Sequence, residues 1–244
     1  MTSSTIDRRS KLLDEMLKIR LLGDLRDDCD DIVTFERTPL LLSKQEQAEA
    51  LVGRAVWLDD PTGWFATDNS DIEVLSGWMP HYVAPYFYIA QNIQSCWRCG
   101  EISPVYCLAS TGDYLERLLD YDDDDRIKTI DWTISSYGSF VGTFIGNMTI
   151  VNGTVRRLIR GHCSNYYIDQ SKMAESSYYM NHCVKCGAKF GDFFMHSEPG
   201  GAFFPVSEGE AKSITLTKIA LPLLVRGSGS VSSPDMLPFC TFVK

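Results

Sequence analysis

The chain has 244 residues, 44% of them hydrophobic, and a formal net charge of -9. This composition suffices for a folded core and excludes a chain that is disordered throughout. It disfavours duplex DNA binding through a broad basic face, because affinity for phosphate comes largely from clustered Lys and Arg. The sequence contains neither a membrane-length apolar stretch nor an apolar signal core, so we expect a cytoplasmic protein without a membrane partner.

The first third of the chain predicts short elements of both types. In chain order these are an amphipathic helix at 6–22, a capped helix from 43–46 through Leu51, strands at 55–58 and 64–66, and a helix at 71–75. Helical spacing of apolar residues indicates the first helix, and a Ser-Lys-Gln-Glu capping box indicates the second. We therefore expect an N-terminal helical segment over 1–42 and a small αβ module over 43–80.

The remaining two thirds predict mainly strands around two cysteine pairs. The predicted strands lie at 86–89, 104–108, 166–168 and 213–219, the helices at 114–119 and 172–179, and a flexible tail segment at 227–230. Apolar and β-branched residues between 127 and 159 follow no clean period, so the pattern leaves helix and strand open there.

The excess acid is concentrated in two runs, at 24–31 and at 120–125. A solvated loop is the plain interpretation of each run. A calcium loop would need ligands spaced along a turn with a central glycine, and neither run has that pattern. A contact surface for another protein is the alternative interpretation.

Two copies of a C-x-x-C-G motif carry the clearest chemistry in the sequence. They are Cys96-Trp97-Arg98-Cys99-Gly100 and Cys183-Val184-Lys185-Cys186-Gly187. A two-residue gap lets both thiolates of a tight turn point at one ion, and the glycine permits the positive φ that such turns need. Two such turns facing each other supply a tetrahedron of sulfurs. We therefore predict one structural zinc ion, bound by Cys96, Cys99, Cys183 and Cys186.

Three other uses of these cysteines fit the pattern less well. A thioredoxin-like redox site needs one pair, not two matched pairs with following glycines. An iron–sulfur cluster also takes four cysteines, but paired turns flanked by strands favour zinc. A catalytic zinc keeps one coordination position open, whereas four thiolates close the site.

The two pairs lie much farther apart than in a compact zinc ribbon, where roughly 15–20 residues separate them. We therefore expect an α+β fold whose zinc-ribbon domain spans 81–244 and holds a large insertion at about 109–178. The zinc would tie two distant segments together, so metal binding and folding should be linked.

Two further groupings are kept as alternatives. His162, His182 and His196 could form a second metal or ligand site with a nearby cysteine, although packed histidines are the plainer interpretation. Asp192, His196 and Glu198 could converge on a substrate near a Pro-Gly-Gly turn, whereas a structural turn explains the same residues. We assign no catalytic residue and no organic cofactor.

Two stretches resemble known families. Residues 46–67, with Arg54-Ala55-Val56-Trp57 and Gly63-Trp64-Phe65, resemble a small domain of unassigned function that reads A-K-x-L-G-A-R-W-D … W-Y-V-P and occurs beside plasmid primase-like and DNA-transfer proteins. Residues 86–108 and 178–205, with both cysteine turns, are similar to an uncharacterised bacterial zinc-ribbon family. These resemblances imply a bacterial or phage protein in a mobile-element setting.

The observations together favour a non-catalytic zinc-binding protein that binds nucleic acid or a nucleic-acid-handling partner. One alternative is a phage- or element-encoded inhibitor of a host defence protein, with the acidic runs as its contact surface. The other is an enzyme that uses Asp192, His196 and Glu198. An enzyme is the less favoured class, because the strongest motif predicts a closed metal site.

Overall fold

The computed structural model describes residues 32–33, 37–42, 46–59, 62–111, 114–135, 142–229 and 234–243. The predicted helix at 6–22, the acidic run at 24–31 and Ser43 of the capping box lie outside these ranges. Strands dominate the described residues and the helices are few and short, so the fold class is α+β, as predicted. No helix in these ranges combines the length and apolar character needed to cross a membrane.

The described elements are short and connected mainly by turns. The strands are β1 (Ile32–Val33), β2 (Arg37–Pro39), β3 (Val56–Asp59), β4 (Thr62–Thr67), β5 (Tyr82–Ala84), β6 (Phe87–Ser95), β7 (Ile102–Thr111), β8 (Tyr114–Tyr121), β9 (Ile127–Ser135), β10 (Gly142–Val151), β11 (Tyr166–Ser171), β12 (Ser176–His182), β13 (Lys189–Phe190), β14 (Thr215–Ile219), β15 (Leu223–Gly229) and β16 (Thr241–Val243). The α-helices are α1 (Gln47–Val52), α2 (Ile72–Leu75), α3 (Gly153–His162), α4 (Asp192–His196) and α5 (Glu208–Lys212). Short 3-10 helices cover Ser76–Trp78 and Pro234–Phe239.

Among the described strands, a 10-stranded sheet has the order β1-β9-β8-β5-β15-β10-β7-β6-β14-β16. Neighbouring strands are antiparallel except for the parallel pair of β14 and β16. Two 3-stranded sheets, β11-β12-β13 and β2-β4-β3, complete the described strands.

The middle of the large sheet is buried on both faces, which explains why its central strands lack a simple alternation. In β6, Phe87 and Ile89 pack into one apolar cluster, whereas Tyr88 and Ala90 pack into another on the opposite face. A strand covered on both sides reads as a continuous apolar run, because successive side chains point to opposite faces. β10 is also buried along most of its length, so its sequence shows neither the helical period nor the alternation of a half-exposed strand.

Two predicted helices are strands in the structure. Residues 114–119 belong to β8, which pairs along its length with β9. Residues 172–175 form a turn, and β12 begins directly after it. Leucine, glutamate and arginine favour a helix locally in the first segment, but burial of Tyr114 and Leu115 and pairing with neighbouring strands override that preference. The helices predicted at 114–119 and 172–179 were therefore wrong.

The flexible tail segment predicted at 227–230 was also wrong in its described part. Gly227 and Gly229 belong to β15, which lies between β5 and β10 inside the large sheet. A Cβ atom on Gly227 would lie 2.9 Å from the carbonyl oxygen of Gly146. Glycine is thus required for close approach of the strands rather than for flexibility.

The region around 43–80 contains the predicted short elements. β3 and β4 form a hairpin with α1 and α2 beside it, and β2 adds a third strand from outside that range. Its own apolar cluster includes Leu40, Ala50, Ala66, Leu75 and Met79. Phe65 instead packs with residues of the large sheet, so it connects the two units. The boundaries of this module remain a prediction.

The segment between the cysteine pairs, predicted as an insertion at about 109–178, contributes β8, β9 and β10 to the large sheet. The first cysteine turn joins β6 to β7 of this sheet, and the second joins β12 to β13 of a 3-stranded sheet. The two turns therefore come from different sheets. The zinc-ribbon assignment and the insertion stay predictions.

Candidate metal centre

The two C-x-x-C-G turns share one backbone geometry. In the first, the N–H of Cys96 donates to the carbonyl of Glu101 over 2.8 Å, and the N–H of Gly100 donates to the carbonyl of Cys96 over 2.9 Å. The second turn repeats both hydrogen bonds at Cys183 and Gly187 with the same two lengths. Both glycines have a positive φ, +74° and +67°, as the motif predicted.

These turns bring the sulfur atoms of their cysteines together. Sγ of Cys96 lies 3.6 Å from Sγ of Cys186, and Sγ of Cys99 lies 3.6 Å from Sγ of Cys183. Each contact joins one turn to the other, and all four sulfurs lie within 4.8 Å of one another. The group could therefore hold a metal ion. Within the described ranges, no other group of three or more Cys, His, Asp and Glu side chains has such an arrangement.

Neighbouring backbone groups and sulfurs perturb the thiols in opposite directions. The backbone N–H of Cys186, and to a smaller extent that of Lys185, lowers the pKa of Cys183 to about 6, although burial opposes this. The N–H of Glu101 lowers the pKa of Cys99, but hydrogen bonds with neighbouring sulfurs outweigh it and raise that pKa to about 12. Adjacent thiols cannot all lose their protons unless a cation offsets the charge. The centre is therefore suited to a bound cation.

Contacts outside the sulfur cluster also join the two turns. The indole N–H of Trp97 donates to the carbonyl of Lys189 over 3.0 Å. The ammonium group of Lys185 lies 3.4 Å from a carboxylate oxygen of Glu101. Each contact joins a residue of one cysteine turn to a residue just beyond the other turn, so both help to hold the turns side by side.

Two buried asparagines attach the sheet of the second turn to β7. The side chain of Asn181 accepts the N–H of Tyr106 and donates to its carbonyl, both over 2.8 Å. Asn165 donates to the carbonyl of Pro104 over 2.8 Å. β10 pairs only with residues 108–111 of β7, so the asparagines bond to the part of β7 beyond that pairing. Neither residue could be predicted, because a single asparagine in a turn or a strand carries no pattern.

His182, directly before Cys183, has a packing role rather than a position as a ligand. Its ring stacks on Tyr167 with 3.9 Å between the centroids. Its Nε2 lies 3.1 Å from a carboxylate oxygen of Asp169, and its Nδ1 lies 3.2 Å from the carbonyl oxygen of Asn165. Both ring nitrogens thus face hydrogen-bond acceptors, which leaves neither for a metal ion.

The other two candidate histidines lie elsewhere. His162 is exposed on α3, where its Nδ1 lies 3.1 Å from the carbonyl oxygen of Leu158. His196 is buried on α4, with its ring 5.2 Å from that of Phe203. Among the described residues, neither belongs to a group of potential metal ligands. The structure therefore does not assemble the second metal site that the sequence left open.

Asp192 and His196 are buried, whereas Glu198 is exposed, so the three candidate catalytic residues do not share one environment. Oδ2 of Asp192 accepts the N–H of Asn147 over 2.6 Å, and its Oδ1 has no partner within the part of the chain that the structure describes. Burial raises the pKa of Asp192 to about 7 and lowers the pKa of His196 to about 4. Both shifts favour the uncharged forms. The catalytic alternative required all three side chains to converge, and the exposure of Glu198 does not support it.

A groove of about 290 Å³ lies beside the Pro-Gly-Gly turn. β6, Gly200, Gly201 and the end of α5 line it, whereas none of the three candidate catalytic residues does. One of its polar side chains, Asn92, already donates to the carbonyl of Ala202 over 2.7 Å. The groove is therefore separate from the candidate catalytic residues.

No protein-family model, curated protein or solved structure matches this chain. The two resemblances inferred from the sequence therefore remain proposals.

Proposed function

We propose that this chain is a non-catalytic zinc-binding protein that binds single-stranded nucleic acid, or a partner that handles nucleic acid, through the surface around its cysteine turns. One shared feature of the turns carries the proposal. Each presents an exposed apolar side chain and an exposed basic side chain between its cysteines. These are Trp97 and Arg98 in the first turn, and Val184 and Lys185 in the second.

Zinc is the ion that suits this ligand set best. Zinc–thiolate bonds of about 2.3 Å in a tetrahedron place sulfur atoms roughly 3.8 Å apart. The two contacts between the turns, at 3.6 Å each, are close to that spacing. Four thiolates leave no open position for water or substrate, so a zinc ion here would be structural. Its role would be to hold Trp97 and Val184 on adjacent turns.

The exposed side chains have the chemistry of a surface that binds unpaired bases. Trp97 is 74% exposed and Val184 is 55% exposed. Aromatic rings stack on bases of any sequence, and neighbouring Arg and Lys contact the phosphate backbone. Because Trp97 donates its indole N–H to Lys189, its ring is already oriented, which lowers the entropy cost of stacking.

Fluorescence anisotropy with labelled single-stranded DNA and RNA, at about 50 and about 200 mM salt, tests the proposal. We expect binding that weakens with salt, because Arg98 and Lys185 would contact phosphates. Trp97→Ala should weaken binding about 5- to 150-fold, since stacking contributes ~1–3 kcal/mol per base. Trp57→Ala is the matched control. Trp57 is another exposed tryptophan, at 46%, but it lies in the small module.

Direct nucleic-acid binding is contradicted if folded, zinc-loaded protein binds no single strand and no duplex at the lower salt concentration. Equal losses in Trp97→Ala and Trp57→Ala would contradict the assignment of the surface. Unchanged binding in both variants would also contradict the assignment of the surface.

A second function is favoured by the acidic turn between β8 and β9. Residues 122–125 are exposed, and Oδ1 of Asp122 accepts the N–H groups of Asp124 and Arg126. A fixed acidic tip suits an inhibitor, encoded by a phage or mobile element, that binds a basic surface of a host defence protein. Replacing Asp123 and Asp125 by Asn should reduce recovery of that partner from host lysate. Unchanged recovery would exclude the turn as the contact.

A further inference from the structure

Three side chains that can carry positive charge lie in one row across the large sheet. The pairing of β5 with β8 continues by one residue beyond Tyr82, whereas its register with β15 shifts by one residue there. His81 donates its N–H to the carbonyl of Val225 over 2.7 Å and accepts the N–H of Arg117 over 2.8 Å. His81 therefore lies opposite Arg117 of β8, and on β15 it contacts Val225, the residue before Arg226. Leu115 and Leu224 both pack with Phe65. Residues two apart in a strand point to the same face, so the side chains of Arg117 and Arg226 lie on that face of the sheet.

Within the described residues, no carboxylate pairs with this row. None of the ion pairs involves Arg117 or Arg226. Burial and then the proximity of Arg226 lower the pKa of Arg117 to about 10. Burial is also the main reason that the pKa of His81 is lowered to about 4, and both arginines add to it. At neutral pH His81 is uncharged, so the repulsion is between the guanidinium groups of Arg117 and Arg226, and it weakens the fold unless something offsets it.

Structural contacts account for two members of the row. Arg117 donates to the carbonyl oxygens of Ser76 and Met79 over 3.3 and 3.5 Å, at the end of a 3-10 helix. Nδ1 of His81 bonds to the carbonyl oxygen of Gly227. These bonds explain why Arg117 and His81 are held in place, but they do not neutralise the charge.

Arg226 differs, because its Nε is buried and has no hydrogen-bond partner among the described residues. Buried donors in native proteins are almost always paired, so an unpaired guanidinium nitrogen indicates a missing acceptor. The side chains of Arg226, Arg117 and His81 are all partly exposed, so a small solute can reach the row.

We propose that Arg117, His81 and Arg226 form a binding site for a phosphate group. A guanidinium presents parallel N–H donors that match two oxygens of a tetrahedral oxyanion, and two arginines in one row can contact it from both sides. Because Nδ1 of His81 donates to Gly227, Nε2 of the neutral ring can accept a hydrogen bond from a protonated phosphate oxygen. The bound anion offsets the positive charge and supplies the acceptor that Nε of Arg226 lacks.

The site lies where the large sheet meets the small module. On the same face of the sheet, Val83 and Leu224 pack with Phe65 of β4. Junctions between structural units are frequent positions of ligand sites. The row is separate from the cysteine turns, so this inference goes beyond the proposed function and does not depend on it.

Titration calorimetry of the full chain with inorganic phosphate at low ionic strength tests the site. A parallel titration with a nucleoside monophosphate distinguishes a free phosphate ligand from a nucleotide. The test variant is Arg226→Met, which keeps an aliphatic side chain and removes the guanidinium. The matched control is Arg160→Met, because Arg160 is an exposed arginine of α3 and its loss changes the net charge equally.

We expect one phosphate bound per wild-type chain, at least about tenfold weaker binding in Arg226→Met, and no change in Arg160→Met. Without phosphate, Arg226→Met should be at least as stable as the wild type, because it removes a repulsive neighbour. Arg226→Lys should bind with intermediate affinity, since lysine keeps the charge but lacks the paired donors. Tighter binding of the nucleoside monophosphate than of phosphate would assign the site to nucleotides.

Three results would overturn the proposal. The first is equal phosphate binding by wild type and Arg226→Met. The second is an equal loss in Arg160→Met, which indicates a general charge effect. The third is a lower unfolding temperature of Arg226→Met without phosphate, which indicates a structural role. Trp97→Ala should leave phosphate binding unchanged, so failure of this site is distinguishable from failure of the nucleic-acid surface.

Discussion

The side-chain amide of Asn181 closes a ring of two hydrogen bonds with the backbone of Tyr106, each over 2.8 Å. Asn181 lies on β12 just before Cys183, and Tyr106 lies on β7, the strand that follows the first cysteine turn. The pair therefore helps to align the two turns. A zinc ion would add a second connection between the same two elements.

Replacing Asn181 by Leu should destabilise the protein. Leucine has the same number and branching of side-chain heavy atoms but leaves the N–H and carbonyl of Tyr106 unpaired, at roughly 1–3 kcal/mol for each group. We expect the free energy of unfolding, measured by urea denaturation, to fall by about 2–5 kcal/mol.

The control for this substitution is Asn69→Leu. Asn69 is exposed in a turn, so its replacement should change the free energy of unfolding by less than about 0.5 kcal/mol. Equal stability of the wild type and Asn181→Leu would show that the hydrogen-bonded ring makes no net contribution.

Asp192 should make the protein less stable as the pH rises. Burial raises its pKa from 3.8 to about 7, so the folded state keeps a proton that the unfolded state releases. This contribution to stability is complete below pH 3.8 and is lost as the pH rises to about 7. His196 has the opposite effect, because burial lowers its pKa from 6.5 to about 4 and its contribution is lost as the pH falls through that range. The effect of His81 on stability has the same pH dependence as that of His196, because burial lowers the pKa of His81 as well.

Asp192→Asn isolates the effect of the carboxyl group, because an amide oxygen can still accept the N–H of Asn147. Above pH 7 we expect the variant to be more stable than the wild type by on the order of a few kcal/mol. The difference in unfolding free energy should shrink as the pH falls towards 4. A difference that stays constant with pH would contradict a titrating buried carboxyl group at this position.

Gly201 should not tolerate a side chain. A Cβ atom there would lie 2.4 Å from the carbonyl oxygen of Phe194 and 2.8 Å from that of Met195, and backbone atoms cannot move aside easily. Gly201→Ala should therefore lower the free energy of unfolding by about 1–3 kcal/mol, measured by denaturant unfolding.

Gly161→Ala is the matched control for this steric effect. An added Cβ at Gly161 meets nothing within 4 Å, and alanine favours a helix over glycine by roughly 0.5–1 kcal/mol. This variant should be unchanged or slightly more stable. If Gly201→Ala kept the same free energy of unfolding as Gly161→Ala, the Pro-Gly-Gly turn would relax without strain.

The four cysteines could be predicted as one group because the geometry of each turn depends on local spacing. A two-residue gap and a following glycine specify the turns at Cys96 and Cys183 regardless of what lies between them. Repetition of the motif indicated that the turns face each other. The surrounding contacts, such as Trp97 with Lys189, depend on how the two sheets meet and have no local signature.

The strands between the cysteine turns were harder to predict, because burial on both faces removes the alternation that marks a strand. Tyr114 and Leu115 are adjacent in β8 and both are buried, so the segment lacks the pattern of a half-exposed strand. The row of Arg117, His81 and Arg226 depends on the register of separate segments of the chain. Register of this kind follows from the whole sheet and not from neighbouring residues.

Elemental analysis of protein purified without added metal decides whether the four sulfurs bind zinc. Cys183→Ser removes one ligand, and Cys240→Ser is the control, because Cys240 is a buried free cysteine outside the sulfur group. We expect one equivalent of zinc in the wild type and in Cys240→Ser. Cys183→Ser should lose the zinc and unfold, since metal binding is coupled to folding. Wild-type protein that contains no zinc, or iron in its place, would contradict a structural zinc site at the four cysteines.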